Sequence, residues 1–293
     1  MAKQKSPTLR QFQDRFPSEE ACLEHLMETR YGIVHKCEKC GREGKFHPVT
    51  KRRSYACQNC GHQVFPTADT PFHRTRTPLR DWFYVIFLFC ASRNGVAAKE
   101  VERQIGVTYK TAWRMCHEIR KYMAALDSDD PLGGFGTTVE VDETLIGGSV
   151  SGKGSGYKGN KTCAVGMLER GGELVTRVVE RRTKAHMQAL ILDQILPGTT
   201  LNTDEFGGYK DIDQSGYRHV KVNHKRGQYA TKSGAGVNAI EGFWAQLKRS
   251  INGTHIHVSG KHLWKYLGEF EYRYNMRHAP HLMLDRMMAS FAR

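Results

Sequence analysis

The chain has 293 residues, an ordinary apolar fraction of 39% and a formal net charge of +14. That length is enough for two or three domains, each with its own core, and the apolar content excludes a disordered polymer. The positive excess suits a polyanionic partner, with nucleic acid the first candidate.

The charge is unevenly placed. Residues 1–126 hold 22 basic against 12 acidic side chains, residues 127–241 hold 14 against 15, and residues 242–293 hold 8 against 3. Two basic segments thus flank a near-neutral middle. The longest apolar run, Trp82–Ala91, has ten residues, about half of the ~20 that span a bilayer. The N-terminal "MAKQKSPTLRQFQDRF" has no apolar core of signal-peptide type. The expected setting is cytoplasmic, in association with the nucleoid and without membrane.

Residues 1–30 are expected to form an N-terminal helical segment. Residues 31–76 carry "CEKC" and "CQNC", so Cys37, Cys40, Cys57 and Cys60 follow the pattern C-x2-C-x16-C-x2-C. Such spacing is that of a four-thiolate zinc ribbon, in which each turn aims two sulfurs at one tetrahedral ion. Gly41 and Gly61 follow the two pairs and let the backbone turn back on the sulfurs. Four thiolates leave no open position, so this zinc is structural. The intervening segment reads as a hairpin with Lys51, Arg52 and Arg53 at its tip, and Arg52 and Arg53 are candidate DNA contacts. Cys22, Cys90, Cys116 and Cys163 lack such spacing and read as small buried hydrophobes.

Residues 77–126 predict three helices. The apolar run makes the first, Gly106 supplies a turn between the next two, and Thr108 is placed to cap the last. Ala112, Cys116, Ile119 and Met123 form its apolar stripe. Lys110, Arg114, Arg120 and Lys121 are expected on the opposite face, as in the second helix of a DNA-binding helix-turn-helix.

Further on, "GGSVSGKGSGYKG" imitates a phosphate-binding loop. Gly154 stands where a magnesium-binding hydroxyl would be needed, and a strand-like segment follows in place of a helix. It reads as a basic loop between strands. Residues 134–293 then give three consecutive strands, a helix, two more strands and a helix over 238–251. That order predicts a ribonuclease-H-like sheet.

Two strands of that sheet stop at paired carboxylates, Asp142–Glu143 in "EVDETLIGG" and Asp204–Glu205 in "LNTDEFGGY". Adjacent like charges cost free energy unless something neutralises them. Asp142, Asp204 and a helical Glu241, separated by 62 and 37 residues, could converge on two divalent ions. Oxygen ligands suit Mg²⁺ or Mn²⁺, and two such ions can drive in-line displacement at a phosphodiester.

These motifs, with "VTYKTAWRMCHEIR" and "NAIEGFWAQLKRSINGTHIHVSGKHLWKYLGEFEYRYN", resemble the DDE insertion-sequence transposases of the IS1595 family, including its ISXO2-like members. The resemblance runs from about residue 17 to 290. It implies a multidomain α+β enzyme that binds transposon ends as a homodimer or higher oligomer, cuts them and joins them to target DNA. It also implies an acidic triad of Asp142, Asp204 and Glu241, with Lys248 seven residues after the glutamate and Arg249 beside it near DNA. Asn238, one helical turn before Glu241, is an alternative third residue. A glycine more often follows the second aspartate in the family than the Glu205 found here. Two other readings fit the same modules: a domesticated DNA-binding regulator, or a ribonuclease-H-like nuclease without strand transfer.

Overall fold

The computed structural model describes residues 6–126, 130–147, 161–222 and 236–292. Most of the imitation phosphate loop and the polar loop after Val222 lie outside the described residues. Residues up to Tyr122 and those from His278 onward make one compact unit, and Met123–Arg277 make a second.

The first unit opens with α1 (Leu9–Arg15) and α2 (Glu19–Arg30). Thr8 and Ser18 cap them, accepting from the amides of Gln11 and Ala21 and so satisfying donors that a first turn leaves open. Strands β1 (Val34–Lys36), β2 (Glu43–Pro48), β3 (Tyr55–Cys57) and β4 (Gln63–Val64) pair in chain order, all antiparallel. Next comes α3 (Leu79–Ala91), which buries Leu79, Trp82, Phe83, Val85, Ile86, Phe87, Phe89 and Cys90. A helix apolar on nearly every side belongs inside a core. Among the described residues no helix is long and apolar enough to cross a membrane.

Helix α4 (Ala98–Ile105) stops at Gly106, whose φ of 70° lies in the left-handed region that favours glycine. The longer α5 (Tyr109–Leu126) starts after Thr108, whose hydroxyl accepts from the Thr111 amide at 3.4 Å. Its stripe of Ala112, Cys116, Ile119 and Met123 is fully buried.

The second unit contains β5 (Leu132–Gly133), β6 (Thr138–Ile146), β7 (Thr162–Glu169), β8 (Leu174–Val179), α6 (Lys184–Gln194), β9 (Ile195–Leu196), β10 (Thr200–Thr203) and β11 (Arg218–Lys221). Helices α7 (Asn238–Ser250) and α8 (Gly260–Asn275) follow. The main sheet has the order β11-β10-β6-β7-β8. Neighbours β6, β7 and β8 are antiparallel, whereas β10 runs parallel to β6 and β11 parallel to β10. Side chains alternate between the two faces. Val139, Val141, Val165, Met167 and Leu201 pack on the side of α6, and Ile146, Ala164, Leu168 and Leu174 pack under α7 and α8.

Helix α9 (Met283–Ala289) returns to the first unit, where it packs on α3 and buries Met283, Leu284, Met287 and Met288. Phe291 meets Phe72 edge to face at 4.8 Å. The C-terminal turns therefore complete the N-terminal core, whereas the boundary read from the sequence grouped them with the sheet. Apolar periodicity gives a helix its buried face but not its partner.

Helix α7 sits close to the sheet because Gly166 on β7 has no side chain. A Cβ there would lie 2.6 Å from Ile240 Cδ1 and 2.7 Å from Trp244 Cζ2. Gly166→Val is expected to lift the helix and cost about 1–3 kcal/mol by overpacking. Thermal unfolding checks this, and an unchanged midpoint would mean that α7 is not seated on that glycine.

Candidate metal centres

The sulfurs of Cys37, Cys40, Cys57 and Cys60 all lie within 4.8 Å of one another. Cys37 Sγ is 3.7 Å from Cys60 Sγ, and Cys40 Sγ is 4.0 Å from Cys57 Sγ. Bonds of about 2.3 Å to a tetrahedral Zn²⁺ place sulfurs about 3.8 Å apart, so the set fits zinc without rearrangement. Each pair sits on a turn closed by backbone: the Gly41 amide donates to Cys37 O at 2.8 Å, and Gly61 to Cys57 O at 2.9 Å. Both glycines have φ near 70°. The Cys40 amide holds the Cys37 thiol down to about 7, while burial and the neighbouring thiols push Cys60 up to about 11. Among the described residues these four are the one group of three or more His, Cys, Asp or Glu side chains whose ligand atoms converge so closely.

The acidic residues occupy neighbouring elements of the second unit. On β6, Glu140, Asp142 and Thr144 alternate with Val139 and Val141, so Asp142 faces α7, opposite Gly166 on β7. The register of β10 against β6 runs from Thr200 with Thr138 to Thr203 with Val141. The next residue, Asp204, therefore comes level with Asp142 on the adjacent strand, a backbone spacing of about 4.8 Å. There Asp204 Oδ1 accepts from the Phe206 amide at 2.9 Å, a turn that ends the strand. Burial pushes the Tyr209 phenol well above its ordinary value, and the charges of Asp142 and Asp204 add to the effect. Both carboxylates thus act on one ring.

Glu241 lies in the first turn of α7, exposed, and Asn238 is exposed one turn earlier. Lys248 is two turns further along the side that carries Glu241. It lines a cleft of about 290 Å³ with Leu145, Ile146 and Gly147 at the end of β6. Arg249 is exposed beside it. Asp142, Asp204 and Glu241 are thus placed on adjoining elements, but their oxygens are not gathered as tightly as the sulfurs are.

A residue that the sequence reading passed over holds this arrangement in place. Glu140 is buried, and its Oε2 accepts from the amides of Ala239 and Ile240 at 2.9 and 3.2 Å. Its Oε1 accepts from Arg170 Nε at 2.9 Å. Arg170 and Asn202 both donate to the Gly236 carbonyl, at 3.0 and 3.1 Å. The first turn of α7 is thereby tied to β6 two residues from Asp142. An anion at a helix N-terminus also meets the positive end of the helix dipole. Strand alternation alone could have found Glu140, since it must share a buried face with Asp142.

The partner carboxylate Glu143 faces the other way. Tyr209 Oη donates to its Oε2 at 2.5 Å, and Arg182 pairs with its Oε1 while stacking over Phe206 at 3.8 Å. One member of the first acidic pair is therefore neutralised within the protein.

The basic residues divide. Lys110, Arg114 and Arg52 are exposed, with Arg114 over the Trp82 ring at 5.3 Å. Lys121 pairs with Glu118 at 2.8 Å. Arg120 is a correction: it is 2% exposed, donates to the Val96 carbonyl at 2.9 Å and lies over Phe89. It stands four residues after Cys116, only about 40° round the helix from the apolar stripe. Arg53 is half-buried: it donates to the carbonyls of Thr75 and Thr77 and pairs with Glu19 at 2.7 Å. Both arginines hold the first unit together; Arg120 has no surface left for DNA, whereas the Arg53 side chain stays 31% exposed.

Removing zinc with a strong chelator, or replacing Cys37→Ser, is expected to release about one metal equivalent and melt the ribbon, because metal binding here is folding free energy. Zinc content and circular dichroism measure this. A protein that holds no zinc and ignores the chelator refutes it. Glu140→Ala is expected to cost about 1–3 kcal/mol through unsatisfied amides. Hydrogen exchange should locate the damage at Ala239 and Ile240; protection retained there would free Glu140 of that role.

Comparison with known proteins brings these features together. The model of an ISXO2-like transposase domain matches residues 131–275, and that of a transposase zinc-ribbon domain matches residues 17–63. An uncharacterized transposase-like protein of Haemophilus influenzae is 28% identical over 106 residues, which is 35% of this chain and 81% of that protein. Among solved structures, a pre-cleavage Mos1 transpososome aligns over 72% of this chain and 79% of its own, with 11% identity and a TM-score of 0.30. A Mos1 transposase paired-end complex with left transposon end gives 10% identity and a TM-score of 0.25 over the same shares. Scores that low define no common fold. The two family matches, both to IS1595 models, span about two thirds of the 293 residues, and the chain belongs to the IS1595 family of transposases.

Proposed function

We propose that this transposase binds double-stranded DNA at the ends of its element, cleaves there and joins the ends to target DNA. The carrying observation is the register of β10 on β6, which sets Asp204 level with Asp142 beside the anchored first turn of α7. The sheet order β11-β10-β6-β7-β8, with β6, β7 and β8 successively antiparallel and β10 and β11 parallel to β6, supports a ribonuclease-H-like reading of the second unit.

Asp142, Asp204 and Glu241 form an all-oxygen donor set, which suits Mg²⁺ or Mn²⁺. When bound, two such ions activate a water or 3′-hydroxyl and stabilise the leaving oxygen. The protein's part is to hold three like charges on separate elements, so that they close only around cations. Lys248 offers an ammonium to a DNA phosphate on the same helix side as Glu241. Glu241 is favoured over Asn238 because a carboxylate neutralises more cationic charge than an amide.

For DNA recognition, α4, the Gly106 turn and α5 supply a helix-turn-helix arrangement. The exposed start of α5 combines Tyr109, Lys110, Trp113 and Arg114, a basic and aromatic surface suited to a groove. Arg52 at the ribbon tip adds a phosphate contact. Two ends must be handled together, which calls for a homodimer or larger assembly on DNA.

The test uses duplexes that carry the inverted repeats found in DNA flanking the gene. Asp142→Asn and Asp204→Asn are expected to reduce Mg²⁺-dependent cleavage to the protein-free level while binding stays within about twofold, since loss of an anion does not weaken attraction to phosphates. Glu241→Gln should do the same, and Asn238→Ala should leave measurable cleavage. Cleavage retained in the Asp142 variant discards the two-ion reading. Binding without any cleavage by the unaltered protein favours a regulator, and cleavage without joining favours a nuclease.

A further inference from the structure

Beyond Ser250 the last turn of α7 widens: Ile251–His255 is π-helical. Ile256 follows with φ 64° and ψ −50°, and the His257 amide donates to the His255 carbonyl at 2.6 Å. That is a γ-turn of the rare kind with positive φ at its centre. A β-branched residue there is strained, and such conformations persist only where the surroundings impose them. Buried Ile251 and Val258 do so by anchoring both sides of the turn. The strain brings no packing in return, because Ile256 itself is 83% exposed.

The location gives the strain a use. Ile256 stands at the rim of the cleft that the end of β6 shares with Lys248 and Asn252. β6 is the strand that carries Asp142, four residues before Ile146 on the same face. Lys248, Asn252 and His257, all exposed, line the same cleft as the projecting side chain. Among the described residues no carboxylate lines the cleft. An apolar point beside an ammonium, an imidazole and an amide matches one kind of partner, a duplex whose phosphates meet these groups while the point enters the base stack.

We propose that Ile256 is a wedge that inserts between base pairs of bound DNA beside the acidic residues and opens one stacking step. The inference rests on the transposase reading, and its test is chosen to separate the two. End duplexes carrying a single 2-aminopurine, moved one position at a time along the terminal ten base pairs, are bound by the Asp142→Asn protein, so that no cleavage interferes. Unstacking at one step should raise fluorescence severalfold at one or two adjacent positions.

Adding Ile256→Gly should abolish that rise in complexes formed at saturating protein. The same change should raise the melting temperature by roughly 2–4 °C, since glycine relieves the strained φ. Ile256→Leu should restore the fluorescence signal. A rise that survives in the glycine variant, or no rise at any position in a protein that binds the duplex, overturns the wedge and leaves the transposase reading standing. A lower melting temperature in the glycine variant overturns the premise of strain. Failure of the unaltered protein to bind the duplex at all sinks both readings.

Discussion

A carboxylate buried in the middle of a sheet has to be answered, and the answer given to Glu140 organises the second unit. Taking an ionised group out of water costs several kcal/mol unless hydrogen bonds and an opposite charge replace its hydration. Glu140 obtains two amides from the start of α7 and a guanidinium from Arg170. These bonds are directional, so they fix where α7 begins as well as that it packs. Gly166 then admits Ile240 and Trp244 against the sheet, and the helix has one seat. Glu143 on the opposite face is treated alike by Arg182 and Tyr209.

The first unit solves a different problem. Its ribbon strands are short, three, six, three and two residues, and so small a sheet cannot bury enough apolar surface to hold itself. The four sulfurs supply a point of closure that needs no core. Behind it, α3 is packed on nearly all sides, and Arg120 and Arg53 tie loops to helices with charge-assisted hydrogen bonds. Positive charge in this unit therefore has two uses, some of it exposed on α5 and some of it internal.

Local constraints were the legible ones. The cysteine spacing, the Gly106 turn and the stripe from Ala112 to Met123 depend only on residues within a turn or hairpin, and each falls where the sequence indicates. The strand order around Asp142 and Asp204 was legible because alternation and a crossover helix leave few topologies. Arg120 was misread because a long cationic side chain beside an apolar stripe can turn either way, and only its tertiary partners decide. Glu140 differs: alternation puts it on the face of Asp142, but its partners, the Ala239 and Ile240 amides, lie about a hundred positions away and no local pattern names them. The return of α9 to the first unit joins residues more than 190 positions apart, as with Phe72 and Phe291, and no periodicity encodes it. The γ-turn at Ile256 contradicts the residue's own preference, so sequence logic could only argue against it.

That return of α9 has a consequence for biosynthesis. The first unit's core includes side chains that the ribosome delivers only after all of Met123–Arg277. At about 5–20 residues per second the wait is on the order of 10–30 s. During it, the face of α3 that will receive Met283 and Leu284 lacks its cover, while every strand of the second unit has already been made. All the strands of the sheet are therefore made before the unit that precedes them in the chain is complete, and a ribosome stalled before residue 278 leaves the N-terminal core open.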